Sequence, residues 1–107
     1  MVESEVMAAL RRYLKALDSC GIHASRLVVF GSYARGNADE SGNIDVVVIA
    51  PEFDGPRDRT LIEKMWQSTM WADKRIEPVA CGQREWETDQ SRPVLEIARR
   101  EGIVITA

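Results

Sequence analysis

Two acidic residues, Asp45 and Glu77, occur within apolar segments that are expected to form strands. An ionised carboxylate in such surroundings is costly unless it is paired or bound to a metal ion. Because side chains alternate along a strand, Asn43 and Asp45 are expected on the same face. Carboxylates on neighbouring strands suit Mg²⁺, which prefers oxygen ligands. The two acids therefore indicate metal-assisted chemistry on a substrate that carries phosphate groups.

A glycine-containing turn follows the first predicted strand, in the segment Phe30-Gly31-Ser32-Tyr33-Ala34-Arg35-Gly36. Gly31 can adopt a positive φ, which allows a ligand to approach the backbone closely. The Ser32 hydroxyl and the free amides of a helix start can hold a phosphate, although Ser32 as an ordinary helix cap accounts for the same residues. Arg35 could contact a β or γ phosphate or pair with a nearby acid. Together with the two acids, the turn indicates binding of a nucleoside triphosphate with magnesium.

Apolar residues at three- and four-residue spacing predict two amphipathic helices, over residues 2–20 and 56–72. A last helix is expected to have Ser91 as its N-cap and Pro93 in its first turn. Gly102 should end that helix, because glycine is favoured at helix C-termini. Helices are therefore expected near both ends and in the middle of the chain.

Short runs rich in Val and Ile predict strands at residues 27–30, 43–50, 75–81 and 103–105. Pro78 has no backbone N–H to donate, which favours an edge position or an irregular pairing for the third of these strands. Helices and strands alternate along the chain. This order indicates an α/β domain.

Length and charge exclude several classes of protein. With 45% apolar and 29% charged residues, residues 1–107 fit one compact domain. The net charge of -3 argues against direct binding to nucleic acid. No apolar stretch approaches the roughly 20 residues that span a bilayer, and the acidic start of the chain lacks the pattern of a secretory signal. We therefore expect a cytoplasmic protein that does not associate with a membrane.

The remaining reactive residues do not form the pattern of a second site. Cys20 and Cys81 are far apart and His23 is the single histidine, so neither a zinc site nor a disulfide framework is indicated. We expect two reduced, largely buried thiols and a histidine at the surface or in a turn. Trp86 could stack on a base or anchor its loop to the domain. Solvated positions are expected for the basic pairs Arg11-Arg12, Lys74-Arg75 and Arg99-Arg100.

The spacing of the turn and the strand acid is that of a known family. Gly31-Ser32, ten intervening residues and Asn43-Ile44-Asp45 resemble the GS-x10-DxD signature of the DNA polymerase β superfamily, and specifically of its minimal nucleotidyltransferases. The ending IARREGIVI is also similar to theirs. The resemblance implies a small mixed β-sheet of about four strands with flanking helices. It also implies two magnesium ions and the transfer of a nucleotidyl group with loss of pyrophosphate.

Carried over to this chain, the family motif assigns roles to particular residues. Gly31 and Ser32 match the triphosphate-binding turn. Asp45 matches the second metal-binding aspartate, and Glu77 matches the third carboxylate, where the family more often has Asp. These matches make Asp45 and Glu77 the expected metal-binding and catalytic acids.

Asn43 is a departure from the family motif, because it stands where the first aspartate is expected. As a candidate catalytic residue and metal ligand it offers an amide oxygen, which can bind magnesium but brings no charge. Asp39 or Glu40 in the preceding loop could supply a carboxylate, or could be solvated loop charges. The resemblance thus implies a site with two carboxylates in place of three.

Two functions from different classes follow. The first is a nucleotidyltransferase that binds ATP and Mg²⁺ and transfers an adenylyl group to a hydroxyl acceptor on a partner protein. By resemblance, minimal members are often encoded beside a HEPN-domain protein and act as its antitoxin, so a HEPN-type helical partner is expected. The second is a nucleotide-binding or protein-binding antitoxin-like module in which Asn43 has impaired catalysis. A third hypothesis is a small α/β domain that binds no nucleotide. The paired acids argue against it, because their charges would be left uncompensated.

Overall fold

A computed structural model describes residues 4–35, 42–56, 58–89 and 91–107 of the protein. Its strands are β1 (Arg26–Phe30), β2 (Ile44–Ala50), β3 (Ile76–Gly82) and β4 (Ile103–Thr106). They form one four-stranded sheet in the order β3-β2-β1-β4. β1 is antiparallel to β2 and β4, whereas β2 and β3 are parallel. The expected α/β fold with a small mixed sheet is confirmed, and β3, the strand that contains Pro78, lies at an edge as predicted.

Helices cover both faces of the sheet. They are α1 (Ser4–Ser19), α2 (Ser32–Arg35), α3 (Arg59–Gln67), α4 (Gln83–Thr88) and α5 (Pro93–Glu101), with short 3-10 segments at Pro51–Phe53 and Ser68–Trp71. One apolar cluster joins α1 and α3 to the sheet, and a second joins α5 to its other face. Among the described residues, no helix combines the length and the apolar character needed to cross a membrane.

β2 alternates between these two clusters. Ile44 and Val46 pack into the cluster of α1 and α3, whereas Val47 and Ile49 pack into the cluster of α5. By the same alternation Asp45 belongs to the α5 face of the sheet.

The predicted helix over residues 56–72 is shorter than expected. It begins at Arg59, because the Asp58 carboxylate accepts a hydrogen bond from the Thr60 backbone N–H at 2.8 Å. The α-helix ends at Gln67 and continues as the 3-10 segment. The hydroxyls of Ser68 and Thr69 donate to carbonyls of the preceding turn, which competes with regular helical geometry.

α4 was not expected from the polar sequence between Gly82 and Gln90. Its first turn is held by a residue distant in sequence. The Asp54 carboxylate accepts hydrogen bonds from the backbone N–H groups of Gln83 at 3.2 Å and Arg84 at 3.0 Å. An aspartate at a helix start satisfies free amides and complements the helix dipole.

The other end of α4 is held by Arg99, which we expected to be solvated. Its guanidinium donates to the carbonyl oxygens of Glu85, Trp86 and Asp89 at 3.1, 2.8 and 2.7 Å. It also lies over the Trp86 ring, 4.9 Å from the centroid. Arg99 therefore ties α4 to α5.

The start of α5 differs from the prediction by one residue. Arg92 occupies the N-cap position, and Pro93 is in the first turn as expected. Ser91 precedes the cap, and its backbone N–H donates to the Asp89 carboxylate at 2.7 Å. The end of the helix at Gly102 is as predicted.

The cysteines and the histidine largely follow expectation. Cys81 is buried, Cys20 is half-buried, and both are free thiols. His23 is exposed, and its Nδ1 lies 2.8 Å from Glu52 Oε2. Its backbone N–H donates to Glu52 Oε1 at 3.0 Å. The hydrogen bond to Glu52 raises the pKa of His23 above its ordinary value of 6.5.

Replacing Glu52 by glutamine is expected to lower the pKa of His23. Because the folded state raises this pKa, the ion pair stabilises the fold fully below about pH 6.5, and the contribution disappears as the pH rises through the folded-state pKa. NMR titration of the single imidazole measures the effect. Asp18→Asn is the control, since Asp18 lies farther away, at 3.5 Å from Nε2. The prediction fails if Glu52→Gln shifts the pKa no more than Asp18→Asn does.

Candidate active site

The Gly31 turn, Asp45 and Glu77 lie at one end of the sheet. Phe30, the last residue of β1, pairs with Asp45 near the start of β2. Asp45 in turn pairs with Glu77 near the start of β3. Three neighbouring strands therefore bring these residues together in the order turn, aspartate, glutamate.

Gly31 and the Asp45 carboxylate are in intimate contact. Gly31 has a φ of 73°, as expected for the turn. A Cβ placed on Gly31 would lie 2.5 Å from Asp45 Oδ2. The carboxylate thus occupies the space that any other side chain at position 31 would fill, and only glycine accommodates both the backbone conformation and the contact.

Asp45 and Glu77 point to the same face of the sheet. They are register partners on adjacent parallel strands, which are spaced about 4.8 Å apart. Asp45 is half-buried, but Glu77 is exposed. The expectation that Glu77 is buried was wrong, because the α5 cluster on this face of the sheet reaches β3 only at Val79 and Cys81. An exposed carboxylate beside a half-buried one is open to a ligand that approaches from solvent.

Asn43 precedes the first residue of β2 and is exposed. It lies at the same end of the sheet as the two acids. In the parts of the chain that the structure describes, no three His, Cys, Asp or Glu side chains are grouped so that they could hold a metal ion by themselves. The donor set of this region is two carboxylates and one nearby amide.

A polar tie connects α2 to the start of β3. Arg75 Nη1 donates to the Tyr33 hydroxyl at 2.8 Å, and Arg75 Nη2 lies 2.8 Å from Asp73 Oδ2. The hydrogen bond from Arg75 is the main cause that lowers the pKa of Asp73. Arg75 is therefore not simply solvated, as we expected. It holds the helix that follows Gly31 against the strand that carries Glu77.

Comparison with known proteins identifies the family. A sequence model of the nucleotidyltransferase domain matches residues 7–91 of the chain. The chain belongs to the nucleotidyltransferase domain family. The matched region includes Gly31, Asp45 and Glu77.

The fold of this nucleotidyltransferase domain is also found in a solved structure. The crystal structure of a proposed nucleotidyltransferase from Sulfolobus solfataricus superposes with a TM-score of 0.57 and 12% sequence identity. The similarity covers 97% of this chain and 87% of that one. At this identity the likeness is one of fold. No curated protein matches the chain by sequence.

Some predicted site residues of the nucleotidyltransferase domain fall outside the described structure. They are Asp39 and Glu40, together with the side chains of Ser32 and Arg35. Trp86 is described, and it packs on Arg99 and the α5 cluster. Of its two expected roles, the structure shows the anchoring one.

The Gly31 contact is tested by comparing two glycines of the nucleotidyltransferase domain. Gly21 also has a positive φ, of 90°, but a Cβ there would have no neighbour within 4 Å. Gly21→Ala should therefore lower the free energy of unfolding only by the strain of a left-handed backbone, which is about 1–3 kcal/mol. Gly31→Ala should lower the free energy of unfolding by more, because the added methyl group also collides with the Asp45 carboxylate.

A double-mutant cycle isolates that collision. In the Asp45→Ala background, Gly31→Ala should destabilise less, with a coupling of about 0.5–3 kcal/mol, whereas Gly21→Ala should show none. Urea unfolding measures all the variants. Additive effects of Gly31→Ala and Asp45→Ala would contradict the contact.

Proposed function

We propose that the protein transfers an adenylyl group from ATP to a hydroxyl group of a partner protein in a magnesium-dependent reaction. The observation that carries this proposal is the contact of Asp45 with Gly31, with Glu77 beside them. It joins a turn suited to phosphates and a pair of acids suited to a cation in one place. Membership of the nucleotidyltransferase domain family supports the same reaction class.

The Gly31 turn would bind the triphosphate. Gly31 has no side chain, so a phosphate can approach its backbone. The Ser32 hydroxyl and Arg35 are the proposed phosphate contacts that follow it in sequence. The tie between Tyr33 and Arg75 would keep this segment in position while the nucleotide binds.

The acids fit magnesium that is shared with the nucleotide. Mg²⁺ is usually bound by one or two carboxylates together with substrate phosphates and water. Asp45 and Glu77 supply two carboxylates on one face, and Asn43 is the third proposed ligand. When bound, the metal would neutralise negative charge on the triphosphate. The phosphate oxygens would complete a donor set that the protein alone does not supply.

The transfer exchanges one phosphorus–oxygen bond for another. The acceptor oxygen forms a bond to the α-phosphorus of ATP, the bond to the β-phosphate oxygen breaks, and pyrophosphate leaves. Glu77 is the proposed acceptor of the hydroxyl proton, because its carboxylate is exposed next to Asp45.

Asn43 favours a second candidate function. With a neutral amide in place of one carboxylate, the protein would act as a nucleotide-binding or protein-binding antitoxin-like module without turnover. In both proposals the partner is a HEPN-type helical protein in the cytoplasm. The two proposals differ in whether the partner becomes covalently modified.

Label transfer distinguishes these two functions. Protein and host extract are incubated with Mg²⁺ and either [α-³²P]ATP or [γ-³²P]ATP. Adenylyl transfer predicts a labelled protein with the α label alone. Asp45→Asn is the control and should abolish the label. ATP binding without α labelling would refute turnover and support the module.

Restoring the missing carboxylate should strengthen the site. Asn43→Asp adds an anionic ligand next to Asp45 and should tighten magnesium-dependent ATP binding by roughly tenfold, whereas Asp45→Asn should weaken it at least as much. Isothermal calorimetry with and without Mg²⁺ measures both changes.

The same substitution should change the response of stability to metal. A third carboxylate repels the other two, so Asn43→Asp should lower the melting temperature without Mg²⁺ and recover when it is added. If Asn43→Asp alters neither ATP affinity nor the magnesium dependence of melting, the metal site is disproved.

A further inference from the structure

Three large apolar side chains are exposed together on α3 and the 3-10 segment after it. Trp66 is 48% exposed, Met70 is 62% exposed and Trp71 is 80% exposed. We call these three residues the tryptophan patch. Contiguous exposed apolar surface commonly marks an interaction site. The tryptophan patch is not part of the hydrophobic core, because the cluster between α3 and the sheet is formed by other residues.

A groove adjoins the tryptophan patch. Trp71 forms one wall, and the other wall is a single face of α1 formed by Arg12, Lys15, Ala16 and Ser19. The groove has a volume of about 400 Å³. Arg12 Nη2 donates to the Ala72 carbonyl at 3.2 Å, which holds the 3-10 segment against α1.

The groove is positively charged although the whole chain carries a net charge of -3. Arg12 and Lys15 are its charged lining residues, and no acid lines it. Asp73, the acid nearest in sequence to Trp71, pairs mainly with Arg75, and Arg12 also helps to lower its pKa, which leaves Lys15 as the groove cation farther from this acid in sequence. An apolar surface beside two cations is complementary to a ligand that combines apolar and acidic side chains.

We propose that this groove binds an amphipathic helix of a partner protein, with acidic side chains beside its apolar stripe. One wall is a face of the helix α1, and a partner helix can pack its ridges against that face while its apolar stripe meets Trp71. The open edges of the sheet, at β3 and β4, are elsewhere, so addition of a strand is not available in the groove. The proposal goes beyond nucleotidyl transfer and does not depend on it.

Two other occupants fit less well. A symmetric dimer would bury the same groove on both subunits and so bring Arg12 and Lys15 of both copies into one interface, with no acid among the groove residues to pair with them. A bilayer with anionic lipid is opposed by the overall negative charge of the chain. Both remain outcomes that the experiment can detect.

The experiment uses two labelled helical peptides of matched sequence. Each carries Leu at positions i, i+3, i+4 and i+7, and the flanking residues are Glu in one peptide and Lys in the other. Fluorescence anisotropy measures their binding to the full chain. We expect the Glu peptide to bind at least about tenfold more tightly than the Lys peptide.

Surface variants locate the binding. Trp71→Ser should lower the affinity for the Glu peptide at least about tenfold, as is typical of a tryptophan at the centre of an interface. Lys15→Glu should lower the affinity for the Glu peptide and raise the affinity for the Lys peptide. Ile97→Ser is the matched control, because Ile97 is 44% exposed on α5, which packs on the opposite face of the sheet. Circular dichroism checks that each variant is folded.

Several results would overturn the proposal. They are no binding of the Glu peptide, equal binding of both peptides, or equal loss with Trp71→Ser and Ile97→Ser. A dimer in sedimentation equilibrium that Trp71→Ser dissociates would assign the groove to a second copy. Binding to phosphatidylserine vesicles that Trp71→Ser abolishes would assign it to a membrane. None of these results depends on ATP, so they leave the proposed transfer reaction untouched.

Discussion

The contact between the Asp45 carboxylate and Gly31 is the constraint on which the candidate site depends. It requires a residue without a side chain, in a left-handed conformation, at the end of β1. It also requires the antiparallel register that sets Phe30 opposite Asp45. A carboxylate held against a bare backbone is a geometry in which one phosphate-bearing ligand can meet both an amide and a metal-binding acid. The parallel pairing of β2 with β3 then adds Glu77 to the same place.

Long-range polar interactions hold the rest of the small fold together, at the candidate site through Arg75 and at the opposite end of β2 and β3 through Asp54. Arg75 joins α2 to the start of β3, Asp54 holds the first turn of α4, and Arg99 holds its last turn. Short helices are marginal in isolation, so such ties compensate for the little surface that each helix can bury. Each tie links segments that the sheet alone would leave less constrained.

The strands could be predicted from the sequence, but these long-range hydrogen bonds could not. Apolar runs located the strands, and the missing N–H of Pro78 correctly placed β3 at an edge. α4 was missed because its ends are held by residues distant in sequence, which no local pattern reveals. The burial expected for Glu77 was wrong because its neighbour Ile76 packs on the α1–α3 face, whereas the α5 cluster on the face of Glu77 reaches β3 only at Val79 and Cys81. The turn at Gly31 was recognisable, but its contact with Asp45 depends on a side-chain conformation that the sequence does not specify.

We propose that Gly31, Asp45 and Glu77 form one site for a nucleotide and its metal. The most direct measurement is an NMR titration of ¹⁵N-labelled protein with a non-hydrolysable ATP analogue and Mg²⁺, followed by traces of paramagnetic Mn²⁺. The account predicts that the largest amide shifts lie at Gly31 and its neighbours, and that Mn²⁺ broadens Asp45 and Glu77 most. The structure also has a separate cleft between α1 and the end of β4, lined by Arg11, Leu14 and Thr106. Shifts concentrated in that cleft, with Gly31 and Asp45 unchanged, would show that the nucleotide binds elsewhere.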